Sequence, residues 1–134
     1  MPDAPEPLLL ERRIETRGDA YVDRVTADGR TWKLSTVDAR FENGQWSFGS
    51  QEPVWEQAGA LTPAQLGALR EAIASSGFFH TPAELRPDRK GSTEVWTAEL
   101  DGRRHTTTLH GRGEDGVPEL QVLAAALDAA TRPG

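Results

Sequence analysis

Three histidines, His80, His105 and His110, are the side chains of this chain best suited to hold a metal or move a proton near neutrality. Their spacing argues against both roles. A turn at Asp101-Gly102 sets His105 opposite Ala98 and beside Trp96, on the core face of a hairpin. His110 points to the other face with Arg104, Thr106 and Thr108. Residues of opposite parity on one strand face opposite sides, so these two cannot share a metal. His80 follows Phe78 and Phe79 at the mouth of a loop. The chain has no HExxH, no histidine pair at helical spacing and no acidic EF-hand loop. Three structural or solvated histidines are expected, with no catalytic residue, no metal and no cofactor.

Other reactive groups read the same way. No GxSxG is present; Ser47 lies in a strand-like run, and Ser75 and Ser76 close a helix. The segment HGRGEDG at 110–116 has the glycines of a phosphate loop but not its GK[ST] ending. Glu114 and Asp115 would repel an anion there, so it reads as a polar connector. Carboxylates are numerous, but spacing alone pairs none of them as a glycosidase-type dyad. A small enzyme would need a deep apolar pocket with His105 or His80 at its wall.

Binding is the better prospect. Trp32, Trp46 and Trp96 sit at strand positions suited to a core, whereas Trp55 follows Pro53 in a broken, polar segment. Trp55 is therefore expected either as an exposed mark of a partner surface or as a lid packed on the sheet. From position 86 to 112 the cations Arg86, Arg89, Lys90, Arg103, Arg104 and Arg112 outnumber Asp88, Glu94, Glu99 and Asp101. Trp55, Arg103, Arg104, His110 and Arg112 are accordingly one candidate binding surface, for an anion or an acidic partner; the plainer reading is a solvated hairpin.

The elements that must position these groups follow from turn and helix punctuation. Gly18-Asp19, Asp28-Gly29, Asn43-Gly44 and Asp101-Gly102 each lie between strand-like runs. Pairing outward predicts a meander of strands near 8–17, 20–27 and 30–37. In it Ile14 faces Asp23, Val25 faces Trp32 and Asp23 faces Leu34, with Arg12 and Asp23 intruding on an otherwise apolar side. Around Asn43-Gly44, Phe41 falls opposite Trp46 and Ala39 opposite Phe48, and the change of parity near 36–37 requires a bulge or corner. Residues 50–60 read as an edge strand or an ordered loop. In LTPAQLGALREAIASSGFFHTP both ends of a helix over 62–76 are legible: Thr62 as N-cap, Pro63 first, Gln65 closing a capping box, and Gly77 ending it before Phe78. A hairpin of 93–100 with 103–110 follows, then a helix over 118–131 with Leu120, Leu123, Ala124 and Leu127 inward. The prediction is an α+β domain: antiparallel meander, helix, hairpin and C-terminal helix, with the helices on one face of the sheet. Residues 1–7 read as a flexible tail and 8–132 as a single domain.

At 134 residues the core needs no staple, which suits a chain without cysteine. A net charge of −6 argues against non-specific nucleic-acid binding. No apolar run reaches the length of a membrane span or a signal h-region, and the expected compartment is the cytoplasm.

From Leu61 onward the chain resembles the emfourin family of small bacterial proteins, the protealysin-inhibitor type. The likeness is carried by LTPAQLGALREAIASSGFF, by TEVWTAELDGRRHTTTLH and by the closing PELQVLAAAL. The resemblance implies strands, helix, hairpin and helix in that order, and inhibition of thermolysin-like metalloproteases. The family's glycine-rich opening turn falls here at Arg17-Gly18-Asp19-Ala20-Tyr21, with Gly18 in common. A rigid turn can block such a protease by placing a carboxylate near the zinc and an aromatic ring in a specificity pocket. Arg17, Gly18, Asp19 and Tyr21 are the partner-binding residues this implies. The alternative is an accessory, protein-interaction or small-ligand-binding module.

Overall fold

The computed structural model describes residues 5–16, 19–35, 38–49, 54–85, 91–111 and 117–131. In chain order these form β1 (Leu8–Thr16), β2 (Asp19–Thr26), β3 (Arg30–Ser35), β4 (Asp38–Glu42), β5 (Gln45–Gly49) and β6 (Val54–Ala60). Then come α1 (Pro63–Ser75), a 3-10 turn at Phe78–His80, β7 (Glu84–Leu85), β8 (Thr93–Leu100), β9 (Arg103–His110) and α2 (Pro118–Thr131). One sheet has seven strands in the order β6-β3-β2-β1-β8-β9-β7; β4 and β5 form a separate two-stranded ribbon. The architecture is α+β, with helices and strands in the expected order.

Two pairings were invisible to local reading. β1 joins the two halves of the chain, because its free edge takes β8 antiparallel, with Leu10 opposite Ala98 and Arg12 opposite Trp96. β7 adds to β9 in parallel from within the connector after α1. Residues 54–60 are an edge strand, paired only to β3 within this sheet.

The turns explain where register was legible. At Asn43-Gly44 and Asp101-Gly102 both central residues take positive φ, the two-residue turn whose twist suits a hairpin. Phe41 opposes Trp46 and His105 opposes Ala98 as expected. In the first hairpin Thr16 pairs with Asp19 and Ile14 with Tyr21, two residues out from the expected register. An even slip leaves every side chain on its expected face. At Asp28-Gly29 the slip is a single residue: Arg24 opposes Trp32 and Val22 opposes Leu34. The cause is local. Asp28 accepts hydrogen bonds from the Thr26 hydroxyl and the Arg30 amide, and Gly29, at φ 89°, donates its amide to the Thr26 carbonyl. The loop thus holds one residue more than a two-residue turn. The Thr26 hydroxyl, against slight desolvation, also holds the Asp28 carboxyl below its ordinary pKa. An odd slip turns Trp32 and Leu34 to the face opposite Val25, which corrects the expected core role of Trp32. Its indole is half-buried and donates to Thr26 Oγ1 at 3.2 Å. The parity change near 36–37 coincides with the chain leaving the seven-stranded sheet for the β4–β5 ribbon; residues 36 and 37 themselves lie outside the described ones.

The helices cover one face. Leu69 and Ile73 of α1, Phe78 behind its Gly77 closure, and Leu120, Leu123, Ala124 and Leu127 of α2 pack on Leu10, Val25, Trp96, Ala98 and Leu109. The capping box is complete: Gln65 N donates to Thr62 Oγ1 at 3.1 Å and Thr62 N to Gln65 Oε1 at 2.8 Å. Thr62→Ala leaves that first-turn amide to water and should lower stability by about 1 kcal/mol. The check is a urea midpoint shifted down with an unchanged m-value. An unshifted midpoint would show that the cap contributes nothing.

Candidate functional site

The β1–β2 end of the sheet holds Asp19 and Tyr21, two of the residues implied for partner binding. Arg17 and Gly18 lie outside the described residues, and Asp19 opens β2 opposite Thr16. Tyr21 is 61% exposed, an unusual state for a large ring inside a paired strand. It stands opposite Ile14, on the face that carries α2. Just behind lie the two intruders in the apolar pattern. Arg12 and Asp23 are direct cross-strand partners, and Arg12 Nη2 donates to Asp23 Oδ2 and to Asp128 Oδ1 of α2, each at 3.2 Å. The guanidinium also lies 5.6 Å from the centre of the Trp96 ring. Burial alone would lower the Arg12 pKa, but the Asp23 hydrogen bond and the charges of Asp128 and Asp23 raise it further, so this cation persists at every working pH. The triad ties β1, β2 and α2 together behind Tyr21.

The second candidate surface is dispersed. Trp55 is on β6, five strand positions from β9, or about 24 Å at ordinary strand spacing. It is half-buried, and the Arg24 guanidinium sits 5.7 Å from its ring centre. Arg103 lies on the helix side, 5.2 Å over Phe79, while Arg104 points to the other face and bonds Glu99 and Glu6. His110 is at the far end of β9, its Nε2 3.9 Å from Glu84. Arg112 lies outside the described residues. The neighbouring cations of β9 are thus divided between two faces by strand alternation.

Two polar constellations escaped sequence reading. On the helix-free face Arg24 is almost fully buried. Its Nη1 meets Glu11 Oε1 at 2.8 Å, its Nη2 meets Glu6 Oε1 at 2.9 Å, and its Nε donates to the Pro5 carbonyl at 2.8 Å. Residues 5–7, counted with the tail in the sequence, are thereby tied to β2, and the Pro7 carbonyl accepts from Ala27 N. Some signal was present, since Glu11 and Arg24 are opposite charges that the true register sets face to face. On the helix side His105 Nε2 lies 2.8 Å from the Thr81 carbonyl, to which it must donate. The Thr81 hydroxyl donates to the Phe78 carbonyl and accepts from Thr107 at 2.6 Å. Every partner here is satisfied within the fold, and Phe78 packs edge-on to the imidazole. Among the described residues no three of His, Cys, Asp and Glu converge on one point.

A cavity of about 330 Å³ opens where the β3–β6 edge, the first turn of α1 and the last turn of α2 meet. Asp23 and Lys33 stand in its wall, and Ala58, Gly59 and Ala60 line its β6 side. Neither His80 nor His105 borders it.

The fold and these sites define an α+β domain with one helix-covered face and an exposed aromatic at a hairpin end. No protein-family model matches the chain, and no curated protein matches it. No helix among the described residues is long and apolar enough to cross a membrane.

Proposed function

We propose that this is a small binding protein rather than an enzyme, and that it presents the β1–β2 end to a protein partner of the thermolysin-like metalloprotease class. The observation that carries the reading is Tyr21: a tyrosine 61% exposed near the start of β2, two residues before Asp23 of the Arg12–Asp23–Asp128 triad. Aromatic anchors on preorganised turns contribute most to binding, because little side-chain entropy is lost when they dock. The emfourin resemblance supplies the partner class and the place of the turn. Asp19 is the carboxylate for the zinc and Tyr21 the ring for the adjoining pocket, and the resemblance implies Arg17 and Gly18 in the same partner contact.

The test is inhibition of a panel of thermolysin-like proteases. The unmutated protein should inhibit at least one of them. Asp19→Ala combined with Tyr21→Ala should raise the inhibition constant at least about tenfold, or roughly 1.4 kcal/mol. A panel left fully active by the unmutated protein rules the reading out.

A further inference from the structure

We infer that the cavity at the β3–β6 edge is a binding site for a free α-amino acid recognised as a zwitterion. Its volume, about 330 Å³, falls at the small end of the range for pockets that enclose organic ligands. Its wall carries one acid and one base. Asp23 and Lys33 are direct cross-strand partners on the cavity side, yet no ion pair joins them. Asp23 is fixed in place by Arg12, which engages one carboxylate oxygen, Oδ2, and leaves Oδ1 for a ligand ammonium. The C-terminal turn of α2 reaches the cavity at Ala130 and Thr131 and brings the negative end of a helix dipole to its wall. The Lys33 ammonium is the counterpart for a ligand carboxylate. Glu56, its partner on the β6 side, makes no ion pair with it either. Gln65 spends its side-chain oxygen on the capping box, so its amide NH₂ remains to donate.

The floor is small by composition. A Cβ built on Gly59 would meet only Thr31 Oγ1, at 3.4 Å, an ordinary van der Waals contact. Ala58, Ala60 and Ala130 also line the cavity, which leaves room for a small aliphatic side chain. Two opposite charges not paired with each other, in a cavity lined in part by glycine and alanine, match an α-amino acid better than an anion or an amine alone, each of which would leave one wall charge facing its like or nothing.

This site shares Asp23 with the triad behind Tyr21, but it is tested without any protease. The folded protein is titrated calorimetrically with each common free L-amino acid up to about 10 mM. At least one with a small aliphatic side chain should bind and raise the melting temperature by mass action. Its N-acetyl form and its amide, each lacking one charge, should bind at least about tenfold more weakly. Gly59→Val, whose Cβ meets only an ordinary contact with Thr31 Oγ1, should abolish binding in the folded variant by filling the floor; any protease inhibition should be unchanged. Lys33→Met should weaken binding by a similar factor. No binding by any amino acid would overturn the inference. So would an acetylated or amidated form that binds as well as the parent, or a folded Gly59→Val that binds undiminished.

Discussion

Arg24→Ala is expected to lower the unfolding free energy by about 3–5 kcal/mol, because it strips a buried ion pair of one partner. Arg24 is 5% exposed and Glu11 9%, and the two face each other across β1 and β2 with 2.8 Å between Nη1 and Oε1. The guanidinium is fully engaged: Glu11, Glu6 and the Pro5 carbonyl each take a nitrogen, and the Trp55 ring lies alongside. Truncation leaves Glu11 in a poorly solvated position without its counter-charge, removes the Arg24 bonds to the Pro5 carbonyl and to Glu6, and opens space beside Trp55. Domains of this kind have about 5–15 kcal/mol in total, so the loss is a large share. The control is the double change Arg24→Met with Glu11→Leu, which removes both charges and keeps the volume. It should recover most of the loss, since a buried pair can often be replaced by apolar residues at no cost. Urea denaturation of the parent and both variants decides the matter. If Arg24→Ala costs under about 1 kcal/mol, the pair is behaving as an exposed one.

Trp96→Ala should cost about as much, roughly 3–5 kcal/mol, through a different mechanism. Trp96 has no exposed surface and is the largest side chain in the core between β8 and the helices. Its indole nitrogen donates to Glu94 Oε1 at 3.1 Å, and its ring underlies Arg12. Alanine leaves a cavity that the sheet cannot collapse to fill, because β8 is held on both sides by β1 and β9. Trp96→Phe keeps most of the volume and should cost less, about 1–3 kcal/mol. The measurement is again the denaturation midpoint, with near-ultraviolet circular dichroism to show that the native packing persists in Trp96→Phe. An alanine variant as stable as the phenylalanine one would mean that β8 is not the centre of the core.

Elements and sites differ in how far they could be read from residues alone. At α1, Thr62, Gln65 and Gly77 act on amides within one turn of themselves, so their types were enough. The hairpin β8–β9 was legible for the same reason, since Asp101-Gly102 sets its own register. The Asp28-Gly29 turn was misread by one residue because Asp28 bonds Thr26 and Arg30, a side-chain choice that dipeptide preference does not contain. That one residue decides whether Trp32 meets the helices or lies on the face with Arg24. Arg12 and Asp23 looked like faults in an apolar stripe, and only their pairing with each other and with Asp128, 105 positions further on than Asp23, makes sense of them. The cavity was equally hidden, since its walls come from β2, β3, β6 and the ends of both helices.

By itself, then, the sequence determined the elements of this protein: two capped or proline-started helices, hairpins at glycine turns, and an apolar side on each. These depend on interactions within a few residues, whose cost in chain entropy is small and whose geometry is set by residue type. The tertiary structure alone decided that β1 would join β8, that Tyr21 would stand exposed beside a braced triad, and that Arg24 would be buried with its charge satisfied. Those outcomes depend on which distant surfaces meet, and a charge or ring acquires its role only from the neighbours that folding brings to it.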